Sequence, residues 1–135
     1  WEHMKLIYTS FVFYGIFDYL LLKKNKIVFN NFLIQLFLIP IIAIFIYLII
    51  FIPIYKIIGE NMIVSIGLLA IVILIEQILS YFILQYKEIK YQNIIGIIGI
   101  VLVYIIFGYL TYKPIENYIF YDTVKDKYGI NIYIK

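Results

Sequence analysis

Glu76 is the one acidic or basic residue inside the apolar run from Met62 to Tyr86, MIVSIGLLAIVILIEQILSYFILQY. At a helical rise of about 1.5 Å per residue the run reaches roughly 37 Å, longer than the ~30 Å hydrocarbon core of a bilayer. A charged carboxylate at that depth costs on the order of 3 kcal/mol even on mild scales. Glu76 must therefore be protonated, paired, or turned toward a polar cavity. At about 100° per residue, Ser65, Ser80 and Lys87 fall within roughly 40° of Glu76, forming a polar stripe on an otherwise apolar helix. Gln77 lies about a quarter turn away. Such a stripe suits a proton, cation or substrate site. It suits equally well a neutral acid hydrogen-bonded to a neighbouring helix, an interaction that supplies only about 0.6 kcal/mol on average.

The second chemically equipped group is Trp1, Glu2, His3 and Lys5, at the start of the chain. His3 has the residue type of a general base or metal ligand, with Glu2 or Asp18 to orient it. Around a helix, His3, Ser10, Tyr14 and Asp18 cluster within roughly 80°, so this segment also has a polar face. His3 and Asp18 are nevertheless about 22 Å apart along the axis, too far for one site. One histidine is also too few for a dedicated zinc centre. No metal and no cofactor is expected. The blander assignment is an interfacial anchor, with Trp1 at headgroup depth and Glu2 paired to Lys5 at i,i+3.

The elements that must position these groups follow from composition. The 135 residues are 65% hydrophobic and 14% charged, with a mean hydropathy of +1.01. A soluble domain of this size could not bury so much apolar surface, so lipid takes the place of water around it. The expected fold is all-α, a single domain over 1–135 with four transmembrane helices at about 1–22, 28–51, 62–86 and 92–112. A short interfacial C-terminal tail follows.

Asp18 interrupts the first apolar segment, which sits at the lower length limit for spanning, and a re-entrant helix is its alternative. The second is bounded by Pro53, and Pro40 within it should kink the helix near Leu36. Asn30, Asn31 and Gln35 in its first turns suit interfacial hydrogen bonding. Gly59 suits a helix C-terminus and Asn61 an N-cap. Gly96 and Gly99 offer a close approach to another helix, although GxxxG spacing is absent. Pro114 ends the fourth helix, and in the tail Asp122 or Thr123 would cap a short helix closed by Gly129.

Charge excludes some functions. A net charge of +3 comes from lysines at the ends of apolar runs and not along one face, which argues against nucleic acid as a partner. With no cysteine, thiol catalysis and disulfides are excluded. Lys23, Lys24, Lys26, Lys87 and Lys90 fall on one side of a four-span arrangement, against Lys5, Lys56 and Lys113 on the other. The positive-inside rule then puts the first set in the cytoplasm, a margin that Lys125 and Lys127 of the tail erase if counted.

The segment Trp-Glu-His-x-Lys, here Trp1, Glu2, His3 and Lys5 followed by apolar Leu6, resembles a signature of small bacterial multi-pass membrane proteins of unknown function. In that family it is preceded by Asn-Glu-Ser and a hydrophobic residue. The tail FYDTVKDKYGI is similar too, with an aromatic-Asp pair ahead of Tyr-Gly. The resemblance implies a further helix and the Asn-Glu-Ser segment upstream of Trp1, so the chain is expected to be an N-terminally truncated fragment. It brings no activity, cofactor or substrate, but it draws attention to Glu2, His3 and Lys5.

Three functional expectations follow for a protein of the cell membrane whose one sure partner is the lipid bilayer. A site between the first and third helices, built on Glu76, Gln77, Ser80, Asp18 and Tyr14 with His3 near its mouth, would bind or transport a small molecule or ion. Alternatively Glu2, His3 and Lys5 would work on a lipid-linked substrate at the interface. A structural or assembly subunit, as a homo-oligomer or with another membrane protein, would need no site. The first arrangement requires Glu76 to line a cavity shared with Tyr14 or Asp18.

Overall fold

The computed structural model describes residues 2–59, 61–115, 121–122 and 127–128. Four helices dominate: α1 (Glu2–Lys24), α2 (Phe32–Ile58), α3 (Met62–Gln85) and α4 (Gln92–Tyr112). All four are long and apolar enough to cross a membrane. At most 22% of the apolar window of any one of them is buried inside the bundle, so the remaining side chains need acyl chains around them. The chain is an all-α, multi-pass membrane protein.

α2 is the spine, with α1, α3 and α4 each packed against it. Near its middle and C-terminal half, Ile7 of α1 and Leu68 and Val72 of α3 close on Ala43 and Tyr47. Toward its N-terminus, Phe11 of α1 joins Phe32, Leu36 and Ile39. Tyr8 is fully buried, its ring edge-on to Tyr104 and Phe107 of α4 at 5.7 and 5.5 Å. The glycines expected to admit a neighbour do so against the spine. A side chain at Gly96 would overlap the Leu33–Ile34 backbone, and one at Gly99 the Phe37 ring. Small residues let backbones approach where lipid supplies no hydrophobic drive between helices.

α2 departs from the expected bounds at both ends. It begins at Phe32 and not near Val28, because Asn31 adopts a left-handed backbone (φ 58°) that breaks the helical path. It also continues through Pro53 to Ile58. In hydrocarbon, a proline that frees one carbonyl costs less than a chain break that frees several groups, so the helix persists. Pro40 also lies within α2 and is buried. Gly59 (φ 77°) then caps α2, and Asn61 caps α3 by accepting from the Ile63 and Val64 amides.

In the tail, Tyr121–Asp122 (β1) pairs antiparallel with Lys127–Tyr128 (β2), Tyr121 facing Tyr128 and Asp122 facing Lys127. This ladder replaces the short helix expected from Asp122 or Thr123 to Gly129. A segment that pairs Asp122 with Lys127 cannot also close i→i+4 bonds across the same residues. Thr123 and Gly129 themselves lie outside the described residues.

Asn31 is the main tie between the α1–α2 and α3–α4 connections. It is 0% exposed, its Nδ2 donating to the Ile83, Tyr86 and Lys87 carbonyls and its Oδ1 accepting from the Ile89 amide. Its role is thus a buried interhelical clamp and not the interfacial hydrogen bonding expected for it. Half-buried Asn30 adds its amide N–H to Leu84 O and its side chain to Tyr86 O. Both connections, with Lys23, Lys24, Lys26, Lys87 and Lys90, therefore sit at one rim. At the opposite rim Lys5 Nζ donates to Thr111 Oγ1 at 3.4 Å. Replacing Asn31 with Ala is expected to lower stability by about 2 kcal/mol or more, given ~0.6 kcal/mol per membrane hydrogen bond and the left-handed backbone. Asn30→Ala should cost less than half of that. Thermal unfolding of both variants in detergent checks the ranking.

Candidate functional site

The polar stripe of α3 divides between two tasks. Ser65 Oγ donates to the Asn61 carbonyl at the start of the helix, three turns from Glu76. Ser80 turns toward α2, where it accepts a 2.6 Å hydrogen bond from Gln35 Nε2, with both residues buried. Gln35 is 2% exposed and, like Asn31 one turn before it, serves helix association and not the interface. Lys87 lies beyond the end of α3, at the lysine-rich rim.

Glu76, one turn before Ser80, is 3% exposed, and its Oε1 is buried with no hydrogen-bond partner among the described residues. Tyr8 Oη, Gln35 Oε1 and Gln92 Oε1 are likewise buried without a partner. Glu76 differs from them because it is a carboxyl group and because it borders a cavity.

That cavity, of about 660 Å³, lies between α1 and α3. From α1 it is lined by Leu6, Ile7, Ser10, Phe11, Phe13, Tyr14 and Phe17, and from α3 by Leu69, Ile73, Glu76 and Gln77. It exists because both helices pack against α2 and touch each other little. The 3.6-residue period sets Ser10, Tyr14 and Phe17 on one face of α1, while Leu69, Ile73, Glu76 and Gln77 recur at i, i+4, i+7 and i+8 on α3. The pocket is thus mostly aromatic and aliphatic, with polar groups from Ser10, Tyr14, Glu76 and Gln77.

Of the residues singled out in the sequence, Glu76, Gln77 and Tyr14 come together here. Asp18 does not line the cavity. It sits a helical turn beyond Tyr14 and is half-buried nearer the lysine-rich rim. Ser80 is committed to Gln35, as described above. His3 is two turns before Ser10 and also stands apart, its exposed ring stacked on Tyr47 at 6.2 Å between centroids. Lys5 reaches Thr111 of α4, and the side chains of Trp1 and Glu2 lie outside the described residues. His3 and Lys5 thus contact different helices.

The apolar lining, Phe11, Phe13, Phe17, Leu69 and Ile73, was not anticipated, since an apolar side chain in a lipid-facing helix carries no mark of a cavity. Gln35 could have been linked to Asn31 by their i,i+4 spacing, which places two amides on one face of an otherwise apolar helix. No family model, curated protein or solved structure matches this chain.

The geometry makes Glu76 the intramembrane acid reachable from the cavity. A hydrophobic carbodiimide, which adds to a protonated carboxyl from within the bilayer, is expected to modify Glu76 in preference to Asp18, with peptide mass spectrometry as the readout. Labelling of Asp18 with Glu76 untouched would contradict this placement.

Proposed function

We propose that this protein binds a small molecule or ion in the cavity between α1 and α3 and carries it within or across the cell membrane, with Glu76 as the polar anchor. The observation behind this reading is a carboxyl group at mid-helix, 3% exposed, bordering a cavity with an oxygen that has no partner among the described residues. Intramembrane acids are costly to keep, and those that persist without a structural partner mark substrate, ion or proton paths. A purely structural acid would be bonded to a neighbouring helix, as Gln35 and Ser80 are to each other. Ser10, Tyr14 and Gln77 supply additional hydrogen-bonding groups, and the apolar walls exclude water.

Counting only the lysines that flank the helices, and not Lys125 and Lys127 of the tail, the lysine-rich rim faces the cytoplasm. Lys23, Lys24 and Lys26 adjoin α1 and Lys87 and Lys90 adjoin α4, and the bonds of Asn31 hold these two connections at one end.

Proteoliposomes containing an internal pH-sensitive dye, or tracer Na⁺ or K⁺, test the reading. Flux dependent on the protein is expected to fall about tenfold or more in Glu76→Gln, the equivalent of one lost interaction of ~1.4 kcal/mol. Asp18→Asn, outside the cavity, should stay within about twofold of wild type. Equal flux through wild type and Glu76→Gln would remove Glu76 from the path.

A further inference from the structure

We infer that the cavity between α1 and α3 takes an organic monocation with apolar substituents, which reaches it sideways from the bilayer and sets its charge against Glu76. This rests on the binding site proposed above and adds the chemical class of its ligand.

Charge is the first argument. Among the described residues the lining includes one carboxyl group and no Lys, Arg or His. An anion in that setting would be desolvated with nothing to offset it, whereas one positive charge is matched by the carboxylate that Glu76 becomes on releasing its proton. The buried Oε1 of Glu76 has no hydrogen-bond partner among the described residues, which leaves it open to face a positive charge.

Size and ligand number point away from a metal ion. A divalent cation of the calcium type requires about six or more oxygens, and the walls offer one carboxyl, one carboxamide and two hydroxyls. Among the described residues there is no group of three His, Cys, Asp or Glu that could hold a metal. A volume of about 660 Å³ instead falls within the roughly 300–1,000 Å³ typical of sites for drug-sized molecules.

The walls set the rest of the ligand. Phe11, Phe13, Tyr14 and Phe17 bring four aromatic rings to one side, which attract cations through their faces and accept apolar substituents elsewhere. Phe13, Tyr14, Phe17 and Ile73 are at once lining residues and about half exposed or more on the flank of the bundle. They sit at mid-helix, so the opening faces acyl chains and not water. A ligand entering there must first dissolve in the bilayer, hence the apolar substituents.

Tetraphenylphosphonium is a suitable probe, because its charge is permanent and its surface aromatic. Its isosteric anion, tetraphenylborate, is the control. With the protein in lipid nanodiscs, wild type is expected to bind the cation saturably with one site per chain, and tetraphenylborate should not compete. Glu76→Gln should weaken binding about tenfold or more. Ile73→Trp fills the cavity from its exposed flank while keeping the carboxyl, and should weaken binding to a similar extent even if Glu76→Gln proves hard to fold.

Absence of saturable binding to wild type would overturn the inference, whether lipid or a second copy covers the cavity. So would equal affinity in the folded Glu76→Gln variant, full affinity in Ile73→Trp, or competition by the anion. If the probe fails while proton or Na⁺ flux still depends on Glu76, the ligand class is wrong and the binding site stands. If both fail, the site falls as well.

Discussion

Hydrocarbon offers no hydrogen bonds, and this constraint shapes the polar contacts between the helices of the bundle. Backbone groups are satisfied within helices, and a polar side chain must find its partner inside the protein. Asn31 does so four times over, joining two connections with one buried amide. Gln35 and Ser80 do so with each other between α2 and α3. Against that background Glu76 Oε1, without a hydrogen-bond partner among the described residues, stands out, since it belongs to the group whose burial costs most.

The same constraint explains why the cavity lies where it does. Association of helices in lipid depends on close packing and interhelical hydrogen bonds, and both are concentrated on α2. Gly96 brings α4 against its backbone, Gly15 receives Leu36, and the Asn31 and Gln35 amides hold α3 through Ile83 O and Ser80 Oγ. α1 and α3 are thus each bound to the spine more firmly than to one another. The space between them is left to side chains that are themselves partly open to the flank. A site so built is closed on the side of the spine and open on the flank, an arrangement suited to ligands that arrive through the bilayer.

Much of the architecture could be read from the residues alone. Four spans follow from apolar length, and Gly59, Asn61 and Pro114 punctuate them where local chemistry demands. The errors fell where long-range contacts override local signals. The left-handed backbone of Asn31 and its bonds to residues more than fifty positions away set the start of α2, and neither is visible in a local pattern. Pro53 reads as a terminator by its missing N–H, yet the surrounding medium favours a continued helix. Of the site, Glu76, Gln77 and Tyr14 were legible because polar residues in an apolar run are few. Asp18 shares their face in angle but not in depth. The aromatic walls were not legible, since Phe13 and Phe17 look like any lipid-facing side chains until a neighbour leaves space beside them.

The central claim is that Glu76 meets a ligand in the membrane interior. Solid-state NMR of bilayer-embedded protein with ¹³C-labelled glutamate tests it most directly, the Glu76 signal being assigned by its loss in Glu76→Gln. On adding tetraphenylphosphonium, that signal is predicted to shift and to show cross-peaks to the aromatic protons of the cation. An unchanged Glu76 signal without cross-peaks, at saturating cation, would contradict the account.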